Sequence, residues 1–327
     1  MHKPSISNFM QGVWLENQSL EFRDALALPV PQPNEALIKV LVAGICGTDL
    51  QLTKGYYPFN GIPGHEFVGE VIDAPEAPHF IGKRVAGEIN NGCGHCALCH
   101  CGLSRHCSQR RVLGIKNHNG AFAEYLTLPV TNLHVIPESI DDEKAVFIEP
   151  IAAAAHILDQ VAIGPHSKVL IIGAGRLGLL IAQVVKTTQC QLQVIARHEK
   201  QRQILKQFEI TAISEHQLPL GEADVVIEAS GSPDGLQAAV NTVKPTGSIV
   251  LKSTYTGETR LNFSHIVVNE ISLIGSRCGP FQAAIALLQE GRIDPTPLIS
   301  ERFRFHDAKQ AFESAAQPGG LKVLLRP

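Results

Sequence analysis

Val169-Leu170-Ile171-Ile172-Gly173-Ala174-Gly175-Arg176-Leu177-Gly178 is the stretch of this 327-residue chain that decides its fold. The branched apolar run reads as a buried strand, and Leu177 to Thr187 is a segment of helix length. In such a turn the first glycine permits the tight reversal, the second lets backbone approach a pyrophosphate, and the third lets helix and strand pack closely. The helix N-terminus adds unpaired N–H groups and a positive dipole end. The residues downstream add weight to the pattern. Leu192–Ile195, Val225–Ile227, Ser248–Leu251 and Ile271–Ile274 are further apolar runs of strand length, separated by helix-length segments. This alternation predicts an α/β fold, a doubly wound parallel sheet of the Rossmann type. Gly173, Gly175, Arg176, Leu177 and Gly178 then form the candidate cofactor turn.

About 20 residues past the last glycine, at the end of the second strand, an acidic residue would accept the ribose 2′-hydroxyl of NAD. Arg197 stands there instead, with Lys200 and Arg202 close in sequence. A guanidinium cannot accept that hydroxyl but can hold a 2′-phosphate bidentately. NADP(H) is therefore favoured over NAD(H). The alternative is that Arg197 is a solvated surface residue and Glu199 binds the ribose.

Before residue 150 the texture differs: Gly and Pro are frequent, and short apolar runs at Ala36–Val42, Phe67–Ile72 and Phe122–Leu128 read as strands. An alanine-rich helix is expected over Ile151–Val161, another over Phe281–Gly291, and a strand-like piece over Leu321–Leu325. The organisation expected is a mainly β domain over 1–152, a dinucleotide-binding domain over 153–280, and a segment over 281–327 that returns to the first domain. A cleft between the two domains is the natural place for a ligand. His156, in the alanine-rich helix, reads as a core or hydrogen-bonded histidine.

The composition, 44% hydrophobic and 18% charged, excludes a mainly disordered chain. A formal net charge of −3 gives no general electrostatic case for a nucleic-acid partner. No apolar run reaches the roughly 18 residues of a membrane span, and residues 1–11 have no targeting pattern. A cytoplasmic location is expected.

Of eight cysteines, five fall within residues 93–107. Cys93, Cys96, Cys99 and Cys107 are spaced C-x2-C-x2-C-x7-C, so four thiolates can converge on one ion in a closed structural zinc site, in a lobe over about 90–110. Cys101, His95, His100 and His106 are surplus to that set, and Cys190 and Cys278 read as unpaired thiols.

Further motifs sit at Gly44-Ile45-Cys46-Gly47-Thr48-Asp49, Gly64-His65-Glu66-Phe67-Val68-Gly69-Glu70-Val71, Gly120-Ala121-Phe122-Ala123-Glu124-Tyr125 and Glu149-Pro150. With the cysteine lobe and the glycine turn, they make the chain resemble the zinc-dependent alcohol dehydrogenases of the medium-chain dehydrogenase/reductase superfamily over nearly its whole length. The resemblance implies a GroES-like catalytic domain, two zinc ions per chain, and hydride transfer between an alcohol, or its aldehyde or ketone, and a nicotinamide cofactor. It implies Cys46 and His65 as catalytic zinc ligands, with Glu149 or Glu66 as the third. Asp49 would orient His65, Thr48 would pass on the alcohol proton, and Lys322 would reach the cofactor pyrophosphate. Gln51 stands where many relatives have a relay histidine. Glu149-Pro150 looks like the polyol, sugar and threonine dehydrogenase branches, which leaves an NAD-dependent enzyme of that kind as an alternative. A non-catalytic nucleotide-binding redox sensor is the alternative of another class. Small-molecule substrates are expected, as are homodimers or homotetramers with Ile271–Ile274 as a candidate contact. Tyr56, Tyr57, Phe59 and Asn60 are expected near the cleft entrance.

Overall fold

The structure, a computed structural model, describes residues 7–254 and 258–327. Residues 1–6, part of the N-terminal stretch without a targeting pattern, lie outside the described residues. Contacts divide the chain into two units. The first runs to Glu149 and takes in Ile299–Gln317 and Lys322–Pro327; the second comprises Pro150–Leu298 and Pro318–Leu321. The helix Phe281–Gln289 thus belongs to the second unit.

In the second unit six strands form one parallel sheet, in the order Thr211–Ile213, Gln191–Ile195, Lys168–Ile172, Ala223–Glu228, Val243–Leu251, Ser272–Gly275. Counted along the chain this is 3-2-1-4-5-6, the dinucleotide-binding order, whose ligand crevice lies at the carboxyl ends of the strands where the order reverses. Val169, Leu170, Ile171 and Ile172 are all buried, as a strand covered on both faces requires. The helix Arg176–Lys186 leaves the switch point directly after the glycine turn. Thr211–Ile213 escaped the sequence reading because it is three residues long and none of them is fully buried.

The first unit is built on a seven-stranded sheet ordered Ile299–Arg304, Lys322–Arg326, Glu35–Gly44, Glu66–Asp73, Arg84–Gly87, Leu133–Val135, with Tyr125–Pro129 also paired to Glu35–Gly44. A hairpin of Phe9–Glu16 and Ser19–Ala27 turns at Asn17 and Gln18, both at positive φ, as a two-residue hairpin loop demands. The strand expected over Phe122–Leu128 begins only at Tyr125. Phe122 is drawn out of it: its carbonyl accepts from Val13 N at 2.7 Å and its ring meets Phe312 edge-on at 5.9 Å.

Register within this sheet sets up the chemistry. Gly44 lies opposite Glu66 on one side and Leu324 on the other. Three strand ends, each remote in sequence, therefore deliver Cys46, His65–Glu66 and Lys322 to one place. Among the described residues no helix is long and apolar enough to cross a membrane.

Candidate active site and metal centres

The cysteine lobe hangs from a short ladder of Asn90–Asn91 with Arg111–Val112, and one helical turn, Ala97–His100, carries Cys99. All eight cysteines are free. The Sγ atoms of Cys96 and Cys99 are 3.6 Å apart, those of Cys96 and Cys107 3.8 Å, and those of Cys93 and Cys99 4.0 Å. Four sulfurs about 2.3 Å from one zinc ion at tetrahedral angles would be about 3.8 Å apart. The spacing fits such an ion and is far too long for disulfides. Backbone N–H of Cys93, ahead of other bonds, pulls the Cys107 thiol down to about 6, whereas burial pushes Cys99 up to about 11. An ion that replaces the protons removes this mismatch. Cys101 is exposed, and His95 Nδ1 donates to the Cys93 carbonyl at 2.8 Å.

The second constellation is Cys46, His65 and Glu66, whose donor atoms all lie within 4.8 Å of one another. Asp49, fully buried, divides its carboxylate between two tasks. Oδ2 accepts from Cys46 N at 2.8 Å, which starts the helix Gly47–Leu52, and Oδ1 accepts from His65 Nδ1 at 3.1 Å. That bond fixes the imidazole tautomer and leaves Nε2 to face a metal. Burial disfavours a charged His65, but the Asp49 carboxylate and the Cys46 sulfur outweigh it and hold the pKa well above the ordinary value. Such an anionic surround suits a cation. Thr48 Oγ1 is 3.9 Å from Cys46 Sγ.

Lys322 is buried to 1% exposure, and its ammonium donates to Glu66 Oε2, with the Ile45 carbonyl at 3.5 Å and the Phe147 ring centroid at 5.5 Å. The lysine that resemblance assigns to a pyrophosphate is thus seated on a candidate metal carboxylate. Gly44 makes the room: a Cβ there would lie 2.8 Å from Glu66 Oε2 and 3.2 Å from Lys322 Cδ. Glu149 is half-buried in the first turn of the helix Ile148–Gln160, where the dipole favours a carboxylate. It is not among the residues grouped with Cys46 and His65. Phe59 is buried, while Tyr56 and Asn60 are exposed and Tyr57 is half-buried.

In the second unit the glycine turn performs three separate tasks. Gly173 has φ 106°, and a Cβ on it would lie 2.7 Å from the Ala229 carbonyl, across the switch point. A Cβ on Gly178 would fall 1.9 Å from the Gly173 carbonyl oxygen, so only glycine lets the helix sit this close. A Cβ on Gly175 would meet nothing within 4 Å, at the N-cap of the helix, where room for a phosphate is needed. Arg176 Nε donates to the Leu321 carbonyl at 2.9 Å, and Leu177 is half-buried. Arg197 is exposed and paired through Nε with Glu215 Oε1. Arg202 pairs with Glu199 at 3.0 Å and also donates to the carbonyls of Ala196 and Arg197.

Residues 32–138 match the alcohol dehydrogenase GroES-like domain, and residues 177–290 match the zinc-binding dehydrogenase domain. The chain belongs to the zinc-binding alcohol dehydrogenases. It is 29% identical to a sorbitol dehydrogenase of Halalkalibacterium halodurans over 91% of this chain and 93% of the relative. A crystal structure from Escherichia coli, described as the short chain alcohol dehydrogenase RspB complexed with NADH, is 31% identical, with a TM-score of 0.90 over 98% of this chain and 100% of the other. Another, a zinc-binding dehydrogenase from Sinorhizobium meliloti bound to NADP, is 29% identical, with a TM-score of 0.89 over 98% of this chain and 100% of the other.

This dehydrogenase is an NAD(P)-dependent oxidoreductase acting on alcohol or polyol CH–OH groups of small molecules, built from a GroES-like and a Rossmann-type part. Its geometry adds residues that sequence motifs did not reveal. Glu215 is the partner of Arg197, and only the strand register could have announced it. Lys252, at the carboxyl end of Val243–Leu251, is buried and donates to the carbonyls of Ala153 at 2.8 Å and Arg277 at 2.9 Å. A lysine directly after an apolar strand was its only signal.

Proposed function

We propose that this dehydrogenase carries two zinc ions per chain and interconverts an alcohol and its carbonyl compound with NADP(H) preferred. Cys93, Cys96, Cys99 and Cys107 would hold the structural ion, and Cys46, His65 and Glu66 the catalytic one. The observation that carries this assignment is the convergence of Cys46, His65 and Glu66 beside a Thr48 hydroxyl. When bound, zinc would supply Lewis-acid polarisation of the substrate oxygen, and the nicotinamide would supply two-electron hydride chemistry.

The remaining work falls to side chains. Asp49 keeps His65 in one tautomer. Lys322 takes one oxygen of Glu66 and would leave Glu66 able to help hold a metal; by cancelling the glutamate charge it would let a divalent ion keep net positive character toward the substrate. Thr48 Oγ1 takes the hydroxyl proton and hands it on. Gln51 does not titrate, so the proton leaves by water rather than through that side chain. Gly173, Gly175 and Gly178 open the space for the pyrophosphate, and Arg197 binds the 2′-phosphate. Glu149, beyond the three-residue group, serves its helix N-terminus.

We place the protein in a reducing cytoplasm, in keeping with eight free cysteines, and propose a homodimer or a tetramer built from such dimers. The edge strand Ser272–Gly275 has one neighbour in its sheet. Beside it in the chain, helix Phe263–Val268 exposes Phe263, Val267 and Val268. A second copy pairing across this edge would cover both.

The decisive experiment is metal analysis of the wild type and a Cys46→Ala variant, with turnover on a panel of alcohols, polyols and carbonyls using both cofactors. The wild type should hold about two zinc ions per chain. The variant should keep its fold and one ion while losing turnover. Full turnover in the variant would overturn the metal assignment.

A further inference from the structure

In the parallel ladder Gln193, Val194 and Ile195 lie opposite Thr211, Ala212 and Ile213, and Ala196 N still donates to the Ile213 carbonyl at 3.2 Å. Two residues beyond the last pair, Arg197 and Glu215 emerge side by side at the carboxyl edge of the sheet. In a fold with this strand order the adenosine ribose lies at the end of the second strand. The Glu215 carboxylate accepts from Arg197 Nε, although both side chains are exposed, at 49% and 64%.

The turn that presents Glu215 is itself braced. Ser214 N and Ser214 Oγ both donate to Gln217 Oε1 at 2.9 Å, which closes the 3-10 turn Glu215–Gln217 from below. Of the other two cations in this segment, Arg202 is engaged with Glu199 and with two carbonyls of the strand end. Lys200 lies exposed on the helix Glu199–Gln207. Arg197 is the cation that directly follows the strand end, where the ribose would lie, and it carries a carboxylate already.

We propose that Glu215 is the residue that sets how far this dehydrogenase discriminates between NADP(H) and NAD(H). The inference rests on the reading that the ribose sits at the end of Gln191–Ile195. With NADP(H), the 2′-phosphate must draw Arg197 away from Glu215 and then sit beside a like charge. With NAD(H), the same carboxylate accepts the 2′-hydroxyl while Arg197 holds it in place. One ion pair thus supplies the attractive group for either cofactor and the repulsive group for one.

Fluorescence titration of NADPH and NADH into the purified holoenzyme tests this. Glu215→Gln removes the charge and keeps the shape; it should tighten NADPH about tenfold, or about 1.4 kcal/mol, and change NADH less than threefold. Glu215→Ala should move the NADPH/NADH ratio the same way and also weaken NADH. A ratio within twofold of wild type in both variants would overturn the proposal. So would a Glu199→Gln variant that shifts the ratio while Glu215→Gln does not. Exposure of Glu215 means that thermal melting should be unchanged, which separates a lost contact from a lost fold. If wild type binds neither cofactor, or if Arg197→Ala leaves NADPH affinity intact, the cofactor reading beneath the proposal fails, and the proposal with it.

Discussion

Lys322→Met tests the buried ion pair at the proposed metal site directly. Both partners are almost without solvent, at 2% and 1% side-chain exposure. Removing one member of such a pair strands the other charge, at a cost of about 3–5 kcal/mol. Methionine retains most of the apolar stem, so the lost charge dominates over any cavity. In metal-free protein the substitution should lower the stability of the unit by that amount, which corresponds to a fall in melting temperature on the order of 10 °C. With zinc restored the cost should shrink, because a cation beside Glu66 supplies part of the missing compensation. The double variant Lys322→Met with Glu66→Gln should recover most of the loss, since neither charge is then stranded. Urea unfolding of the three proteins, each with chelator and with zinc, gives all six numbers. A loss below about 1 kcal/mol in the metal-free single variant, or a double variant no better than the single one, would refute the assignment of Lys322 to Glu66.

Gly175→Ala should leave stability within about 0.5 kcal/mol yet weaken cofactor binding, whereas Gly178→Ala should destabilise the second unit outright, its Cβ being placed against a carbonyl oxygen; melting curves and cofactor titration separate the two. Glu143 accepts from Arg302 at 2.7 and 2.6 Å and from Arg326 at 3.1 Å, and the bond to Arg302 leads in holding its pKa below the ordinary carboxylate value. Its stabilisation, about 1 kcal/mol, should be fully present above the unfolded pKa near 4.5. It should disappear as pH falls through the lower folded value, so urea midpoints of wild type and Glu143→Gln should converge in acid. Leu273→Lys, on the edge strand, should convert dimers to monomers in light scattering without unfolding the chain.

The sequence was readable wherever short spacings encode the geometry. The glycine turn works through residues five apart, and the four cysteines lie in one short lobe, so the motif and the geometry coincide. Asp49 was legible for a similar reason: three residues from Cys46, it caps the local helix, and the same position lets it reach His65. The ion pair of Glu66 with Lys322 was hidden because its members are separated by 256 positions and meet only through the pairing of three strands. Lys322 accordingly read, by resemblance, as a cofactor ligand. Arg197 was noticed as a cation, but its counter-ion comes after a three-residue strand whose pattern is too brief to detect. Phe122 misled for the opposite reason, since its β-like neighbours extend a strand that its own ring, packed edge-on against Phe312, interrupts.

The sheet that carries Cys46 and His65 closes with Lys322–Arg326, a strand translated after the entire nucleotide-binding unit. During synthesis the earlier unit therefore cannot finish first, although its strands emerge first; it waits with an unfilled slot beside Glu35–Gly44 and an uncompensated Glu66. The later unit is an almost uninterrupted run and can close as soon as it leaves the ribosome. The strand that brings Lys322 to Cys46, His65 and Glu66 is thus translated well after all three of them, and the proposed metal site needs it.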